Sequence, residues 1–267
     1  MIQKGKHQNI LLIEQGKRVE QRICPIEKTG KCVKCKPLCH ITCGFSGAGA
    51  FSDGKLSLYD PDMDQIYVGG DLQEYIGVEE TKKLIDYTDQ IYLDFGADKH
   101  LEGAEYKEEV KKINEKAKKE EITLINIPIR HLGTEKSHEL YGKLEKYLLD
   151  HGVNIQFETA VDDLVVENNQ IKGVKVRPAS QVENEDFADS ETIYADHVVV
   201  AVGRKGANWL VAMCDRHHIA TKTGVVDIGI RYELPDKIKE EINTYMYEGR
   251  FIGRVGPFKD KVRTFCQ

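Results

Sequence analysis

Two hydrophobic periods alternate along this chain. Asn9-Ile10-Leu11-Leu12-Ile13-Glu14 is a short apolar run closed by an acid and then by Gln15-Gly16, the pattern of a strand buried in a parallel sheet. From Glu79 to Phe95 the residues Leu84, Tyr87, Ile91, Tyr92 and Phe95 recur at helical spacing, with Gly96 ending the run. Ala104 to Glu121 predicts a charged helix. It carries the i,i+4 pairs Glu108–Lys112 and Glu115–Lys119, and a narrow stripe of Val110, Ile113 and Ala117. That stripe predicts a surface helix whose charged side is solvated. Residues 56 to 78 read as loop, punctuated by Asp60-Pro61-Asp62 and Gly69-Gly70.

The second half reads as strands around helices. Glu121 to Ile129 predicts a strand leading into Arg130-His131-Leu132-Gly133-Thr134. Thr134 can cap a helix through His151, with Leu140, Leu144, Tyr147 and Leu148 on one face and Gly152 closing it. Val153, Ile155 and Phe157 alternate as a strand. Val161–Glu167 and Gln170–Arg177 flank Asn168-Asn169, a hairpin signal, and Thr192–Ala195 predicts a third strand after an acidic loop. His197–Val202 predicts another buried strand, followed by Gly203-Arg204-Lys205-Gly206 and a helix with Trp209, Leu210 and Met213. Val225–Tyr232 is strand-like and opens a further region.

Composition narrows the class. The chain has 267 residues, 40% hydrophobic and 31% charged, which suits one or two globular domains. The net charge of −6 argues against nucleic acid as the main partner. No apolar run approaches the ~20 residues of a membrane span, and the first residues hold no secretory h-region. Seven cysteines without such a signal predict a reducing, cytoplasmic setting, with thiols or metal ligands before disulfides.

Two stretches carry candidate chemistry. Thr42 to Lys55 holds four glycines, two alanines and two serines in fourteen residues. Glycine reaches φ > 0 at little cost and lets a ligand approach the backbone. Successive N–H groups in such a segment can form an anion-binding concavity. The spacing of Gly44, Gly47 and Gly49 is neither a Walker A loop nor a Rossmann G-x-G-x-x-G. Just upstream lie Cys24, Cys32, Cys35, Cys39 and Cys43. They could ligate zinc or an iron–sulfur cluster through thiolates, or stand as reduced thiols on a loop covering a ligand. The spacing matches neither paired CxxC zinc units nor the bacterial ferredoxin run. Cys214 reads as a core residue.

The order of elements resembles the glutathione-reductase-like FAD oxidoreductases with two dinucleotide-binding domains. It runs strand ending in Glu, Gly-rich loop, helix, strand, three-stranded meander, and Val198-Val199-Val200-Ala201-Val202-Gly203-Arg204. Ala201-Val202-Gly203 takes the place of an Ala-Thr-Gly-like motif, with Val202 where a Thr is frequent. Cys24-Pro25, Cys32-x-x-Cys35, the block Gly47-Ala48-Gly49-Ala50-Phe51-Ser52-Asp53-Gly54-Lys55 and Arg130-His131-Leu132-Gly133-Thr134 resemble a bacterial branch of FAD-dependent dehydrogenases of mostly unassigned substrate.

The resemblance implies an α/β fold: an incomplete Rossmann-like parallel FAD-binding sheet, a three-stranded antiparallel meander, and the start of a second β-rich domain. Residues 1–55 and 130–215 would form the FAD domain, 56–129 a mainly helical insertion, and 216–267 the start of a substrate or cap domain. Thirteen residues with one glycine precede Glu14, whereas the family's Gly-rich turn lies ~20 residues before that acid. The chain is therefore expected to be an internal piece that holds FAD weakly by itself. By resemblance, Glu14 binds the adenosine ribose and the backbone at Gly44, Gly47 and Gly49 approaches the flavin phosphates or ring. Val161 lies at the adenine, and Ala201 and Gly203 pass close to the cofactor. Lys55, Arg130 and His131 are the catalytic candidates facing the ring or an acidic substrate, with ordinary structural use as their alternative. The expected partners are FAD and a small-molecule substrate or electron carrier. A second reading is a zinc or iron–sulfur module, built on the five cysteines, that serves as an interaction domain.

Overall fold

A computed structural model describes residues 9–62, 66–182, 190–224 and 226–264. In chain order the elements are β1 (Leu11–Ile13), α1 (Ile26–Thr29), β2 (Lys55–Ser57), α2 (Leu72–Ile76), α3 (Val78–Asp94) and α4 (Lys107–Lys118). There follow β3 (Ile122–Ile125), β4 (Ile129–His131), α5 (Thr134–Asp150), β5 (Asn154–Gln156), β6 (Thr159–Glu167), β7 (Gln170–Pro178) and β8 (Glu191–Tyr194). The chain closes with α6 (Ala207–Arg216), α7 (Asp236–Tyr245), β9 (Arg250–Val255) and β10 (Asp260–Arg263). The fold is mixed α/β, with one parallel and three antiparallel sheets among the described residues. It divides into two compact units, Met1–Ser52 with Ser137–Asp227, and Asp53–Lys136 with Ile228–Gln267.

In the first unit β1 pairs in parallel with β5, Leu12 opposite Ile155. A parallel pair needs a crossover, and the long α5 precedes β5 as one part of that connection. Its inner face supplies Tyr141, Leu144 and Leu148 to a core with Val19, Phe45, Ala50, Leu12 and Ile155. The meander β6-β7-β8 forms as its hairpin signal predicts. Asn168 and Asn169 both take positive φ, 49° and 60°, which a two-residue turn between twisted strands demands.

Asp162 carries a buried ion pair within the meander and fastens the meander to α6 through its backbone. Asp162 on β6 is 4% exposed and lies 2.7 Å from Arg177 on β7. Its carbonyl accepts the Trp209 indole N–H at 2.9 Å. His217, just past α6, bonds Asp163 at 2.9 Å. The His217 ring is thus half-buried and paired.

The second unit packs α4 on the sheet β10-β9-β3. Val110 and Ile113 of the expected surface stripe are buried with Leu124 and Met246. The predicted strand over 121–129 divides into β3 and β4, separated by Asn126-Ile127-Pro128, because proline has no N–H to extend a ladder. β4 instead turns to pair antiparallel with β2.

Two expected strands are not formed. Residues 197–202 lie in no sheet, and Val199 is 89% exposed. The expected central sheet joining them to β1 is therefore only the β1–β5 pair. Residues 226–232 also lack strand structure, and Ile228 and Ile230 are 97% and 90% exposed, while Val225 is outside the described residues. Apolar runs and alternation mark chain suited to a strand. The strand itself requires a neighbour to take its N–H and C=O groups, and none pairs with these segments among the described residues.

Candidate functional site

The first unit assembles its site around one carboxylate. Glu14 stands at the end of β1, and its Oε1 accepts the N–H of Gly16 at 2.8 Å and of Gly44 at 3.0 Å. The Glu14 carbonyl accepts the Thr159 N–H at 3.2 Å, and the Gly16 carbonyl accepts the Glu158 N–H at 2.9 Å. The end of β1, the glycine loop and the start of β6 thus meet at Glu14. The glycines here serve close approach. A Cβ on Gly16 would lie 2.4 Å from the Gly44 nitrogen, and one on Gly44, at φ +122°, would lie 2.5 Å from Arg22 Cδ.

Arg22 holds the glycine loop from beneath. It is 2% exposed. Its guanidinium donates to the carbonyls of His40 at 2.8 Å, Ile41 at 2.9 Å, Phe45 at 2.6 Å and Gly47 at 2.6 Å. It also lies 4.8 Å from the centre of the Phe51 ring. Burial lowers its pKa, and the negative charge of Glu14 opposes that shift. Sequence reasoning missed Arg22. The signal that could have found it is a lone arginine beside a segment dense in turn carbonyls.

The loop itself departs from the expected nest of free N–H groups. The N–H groups of Gly44, Phe45, Gly47 and Gly49 donate to Glu14, the Lys17 carbonyl, the Gly44 carbonyl and the Ser46 carbonyl. Residues 47–51 form a 3-10 turn, and that turn consumes the donors a phosphate would use. What the loop does offer is open space above Gly47, where an added Cβ meets nothing within 4 Å. It also offers the Ser46 Oγ, buried and without a hydrogen-bond partner among the described residues. Gly49 packs against Tyr141, whose hydroxyl would stand 3.0 Å from an added Cβ.

The remaining cofactor candidates divide. Val161 lies opposite Val176, immediately before a register shift to Asp163, where a bulge leaves the ladder locally irregular. Its strand starts at Thr159, whose N–H donates to the Glu14 carbonyl, so Val161 belongs to the same neighbourhood. Ala201 and Gly203, the latter at φ +59°, lie in the unpaired segment. No hydrogen bond ties either residue to β1 or the glycine loop among the described residues.

The cysteines do not converge. Cys43 is 4% exposed in a cluster with Leu38 and Ala179, while Cys32 and Cys39 are on the surface. Among the described residues, no three Cys, His, Asp or Glu side chains could hold a metal ion. The expected metal set of Cys24, Cys32, Cys35, Cys39 and Cys43 is therefore corrected to free thiols. Thiolate ligation needs the sulfurs around one point, and Cys43 is packed in the core while Cys32 and Cys39 are exposed. Cys214 is buried, as expected, and Cys266 lies outside the described residues.

The catalytic candidates all fall in the second unit. Lys55 on β2 and His131 on β4 are register partners. His131 Nε2 lies 2.7 Å from Asp53 Oδ1, and the Tyr247 hydroxyl bonds Asp53 Oδ2. Lys55 Nζ stands 3.6 Å from Glu248 and 4.8 Å from the centre of the Tyr247 ring. Hydrogen bonds from His131 and Tyr247 lower the Asp53 pKa, while burial and the Asp53 carboxylate push the Tyr247 phenol up to about 12. Arg130 is spent elsewhere. It is 3% exposed, grips both oxygens of Asp89 and donates to the carbonyls of Asp98 and His100. Every guanidinium nitrogen is used, so its geometry is that of a structural clamp between β4 and α3.

The Glu14 neighbourhood fits a dinucleotide in its chemistry. A carboxylate accepts about four hydrogen bonds, and two N–H groups leave it capacity for a ribose hydroxyl. Comparisons with known proteins bear on the same point. Residues 76–226 match the FAD binding domain family; this stretch includes Val161, Ala201 and Gly203 and leaves Glu14 and the glycine loop outside. No curated protein matches the chain. A solved structure, Thermovibrio ammonificans THI4, is similar at 14% identity over 44% of this chain, with a TM-score of 0.28. The chain spans 47% of that protein's chain, and so remote a likeness carries no argument about fold or activity. The family match covers more than half of the residues, and this chain belongs to the FAD binding domain family.

Proposed function

We propose that this chain forms part of an FAD-dependent oxidoreductase of dehydrogenase type that acts on a small-molecule substrate or electron carrier. Family membership supplies the cofactor. The observation that carries the placement is the Glu14 carboxylate, which joins the end of β1, the glycine loop and the start of β6. In a dinucleotide fold an acid at such a strand end takes the ribose hydroxyls. Bound FAD would supply the hydride chemistry.

The residues of this chain bind and orient. Glu14 would hold the ribose, with Val161 presenting backbone to the adenine. The open space at Gly47 lets the cofactor approach the loop that Arg22 supports, while the missing side chains at Gly44 and Gly49 make room for Arg22 and Tyr141. Ala201 and Gly203 would give close passage in the segment before α6. Lys55 and His131 are the groups suited to charge and proton handling toward the substrate, while Arg130 keeps β4 in place. A reducing cytoplasmic location accords with the six described cysteines, all free thiols.

Titration with FAD, followed by flavin fluorescence, tests the reading. Binding should weaken in Glu14→Gln, which keeps an acceptor for the two loop N–H groups but loses the charge. Equal affinity in both proteins would overturn the role of Glu14. Protein that never takes up FAD would overturn the reading as a whole.

A further inference from the structure

Asp53, His131 and Tyr247 are distant in sequence and meet in the second unit. His131 is 78 residues from Asp53, and Tyr247 is 194. The backbone fixes the first pair: the Asp53 carbonyl accepts the Gly133 N–H at 2.9 Å, and the Gly54 carbonyl accepts the Leu132 N–H at 3.2 Å. Tyr247 is set by its neighbour Met246, which is 4% exposed in the core with Val110 and Leu124. The His131 and Tyr247 rings stand 4.5 Å apart at 37°. Both the histidine and the aspartate remain partly open to solvent.

The partners decide where the imidazole proton lies. An ionised carboxylate only accepts. Against Asp53 Oδ1, Nε2 must carry the hydrogen, and in a neutral ring Nδ1 then holds the lone pair. A carboxylate behind a histidine also holds the ring in orientation and tautomer. Tyr247 occupies the other oxygen of Asp53 and so limits its rotation. The charges around the set are Asp53, Glu248 and the more distant Glu102 against Lys55 and Arg250. They leave no surplus of positive charge for a carboxylate substrate.

We propose that His131 is a general base for a hydroxyl- or amine-bearing substrate, with Asp53 and Tyr247 as its positioning residues. The substrate O–H or N–H bond breaks as a proton passes to Nδ1, and a new N–H bond forms on the ring. The imidazolium then returns the proton to solvent, and no electron changes owner. The inference rests on the second unit alone and stands whether or not the Glu14 neighbourhood takes FAD.

Hydrolysis of p-nitrophenyl acetate by the full chain probes the bare nitrogen. Nδ1 attacks the acetyl carbonyl, nitrophenolate leaves, and water releases acetate from the ring. Release should fall on the order of tenfold or more in His131→Gln and in Asp53→Asn, above a background from exposed histidines such as His100 and His151. Rates equal to the parent in both folded variants would overturn the proposal. Nitrogen-15 spectra of the parent protein decide independently if a variant does not fold. The neutral His131 ring should show its hydrogen on Nε2, and a hydrogen on Nδ1 would overturn the assignment.

Discussion

Glu14 accepts the N–H of Gly44 across 30 residues of sequence, at 3.0 Å, with the same oxygen that receives Gly16. One carboxylate thereby fixes the end of a strand against a loop of glycines. Replacing Glu14 with Ala leaves both N–H groups without their acceptor, and each such loss costs about 1–3 kcal/mol when the group is buried. Urea unfolding should show Glu14→Ala well below Glu14→Gln in stability. Equal midpoints would mean that these bonds hold nothing.

Gly44 admits no side chain. At φ +122° an alanine would be strained, and its Cβ would press on Arg22 Cδ at 2.5 Å and the Lys17 carbonyl at 2.6 Å. Gly44→Ala should cost on the order of 2–4 kcal/mol. Gly47, with open space around it, should pay only for its positive φ. Thermal unfolding of the two variants checks the order, and a more damaging change at Gly47 would contradict it.

The buried Arg130 and the half-buried Asp89 form a bidentate pair. Arg130→Ala strands the Asp89 carboxylate and should destabilise the protein by about 3–5 kcal/mol. The loss should appear in denaturant unfolding. A folded Arg130→Ala protein of unchanged stability would return Arg130 to the catalytic candidates.

Tyr247 gives a titration with a definite sign. Its phenol is held up to about 12 in the folded chain, against about 10 in an unfolded one. The unfolded chain therefore loses this proton first. The contribution of Tyr247 to stability is complete below pH ~10 and disappears as pH rises toward the folded value. Asp53 runs the opposite way. Its lowered pKa contributes stability above the ordinary carboxylate range of about 3.9, and this is lost as pH falls through the folded value. Phenolate absorbance should lose one late-ionising tyrosine in Tyr247→Phe, leaving Tyr59, whose phenol is also raised by burial and by Asp86. A Tyr247 that ionises with the exposed tyrosines would remove the Asp53 contact.

Much of the local structure was legible in the residues. The helices over 78–94, 107–118 and 134–150, the strand before Glu14 and the hairpin about Asn168-Asn169 follow from periodicity and turn chemistry. These signals act within a few residues, so they survive any arrangement of the rest. Glu14 and the glycine loop were also visible as a candidate pair. Their contact was not, because it depends on Lys17 and Arg22 turning the chain back on itself.

Tertiary structure decided what sequence patterns could not carry. Val198–Val202 has the apolar content of a buried strand, but a ladder is a property of two segments, and periodicity describes only one. The same limit separates the five cysteines, whose spacing says nothing of which sulfur turns into the core beside Leu38. Arg130 and His131 are adjacent and alike in promise. Alternation along β4 sends the first to Asp89 and the second to Asp53. Tyr247 completes that second contact from the far end of the chain, where Met246 anchors it in the core. The sequence therefore determined the local elements and the residues capable of chemistry. Which of those residues share one set of hydrogen bonds was decided by long-range packing, since burial and partner choice are set by neighbours far away along the chain.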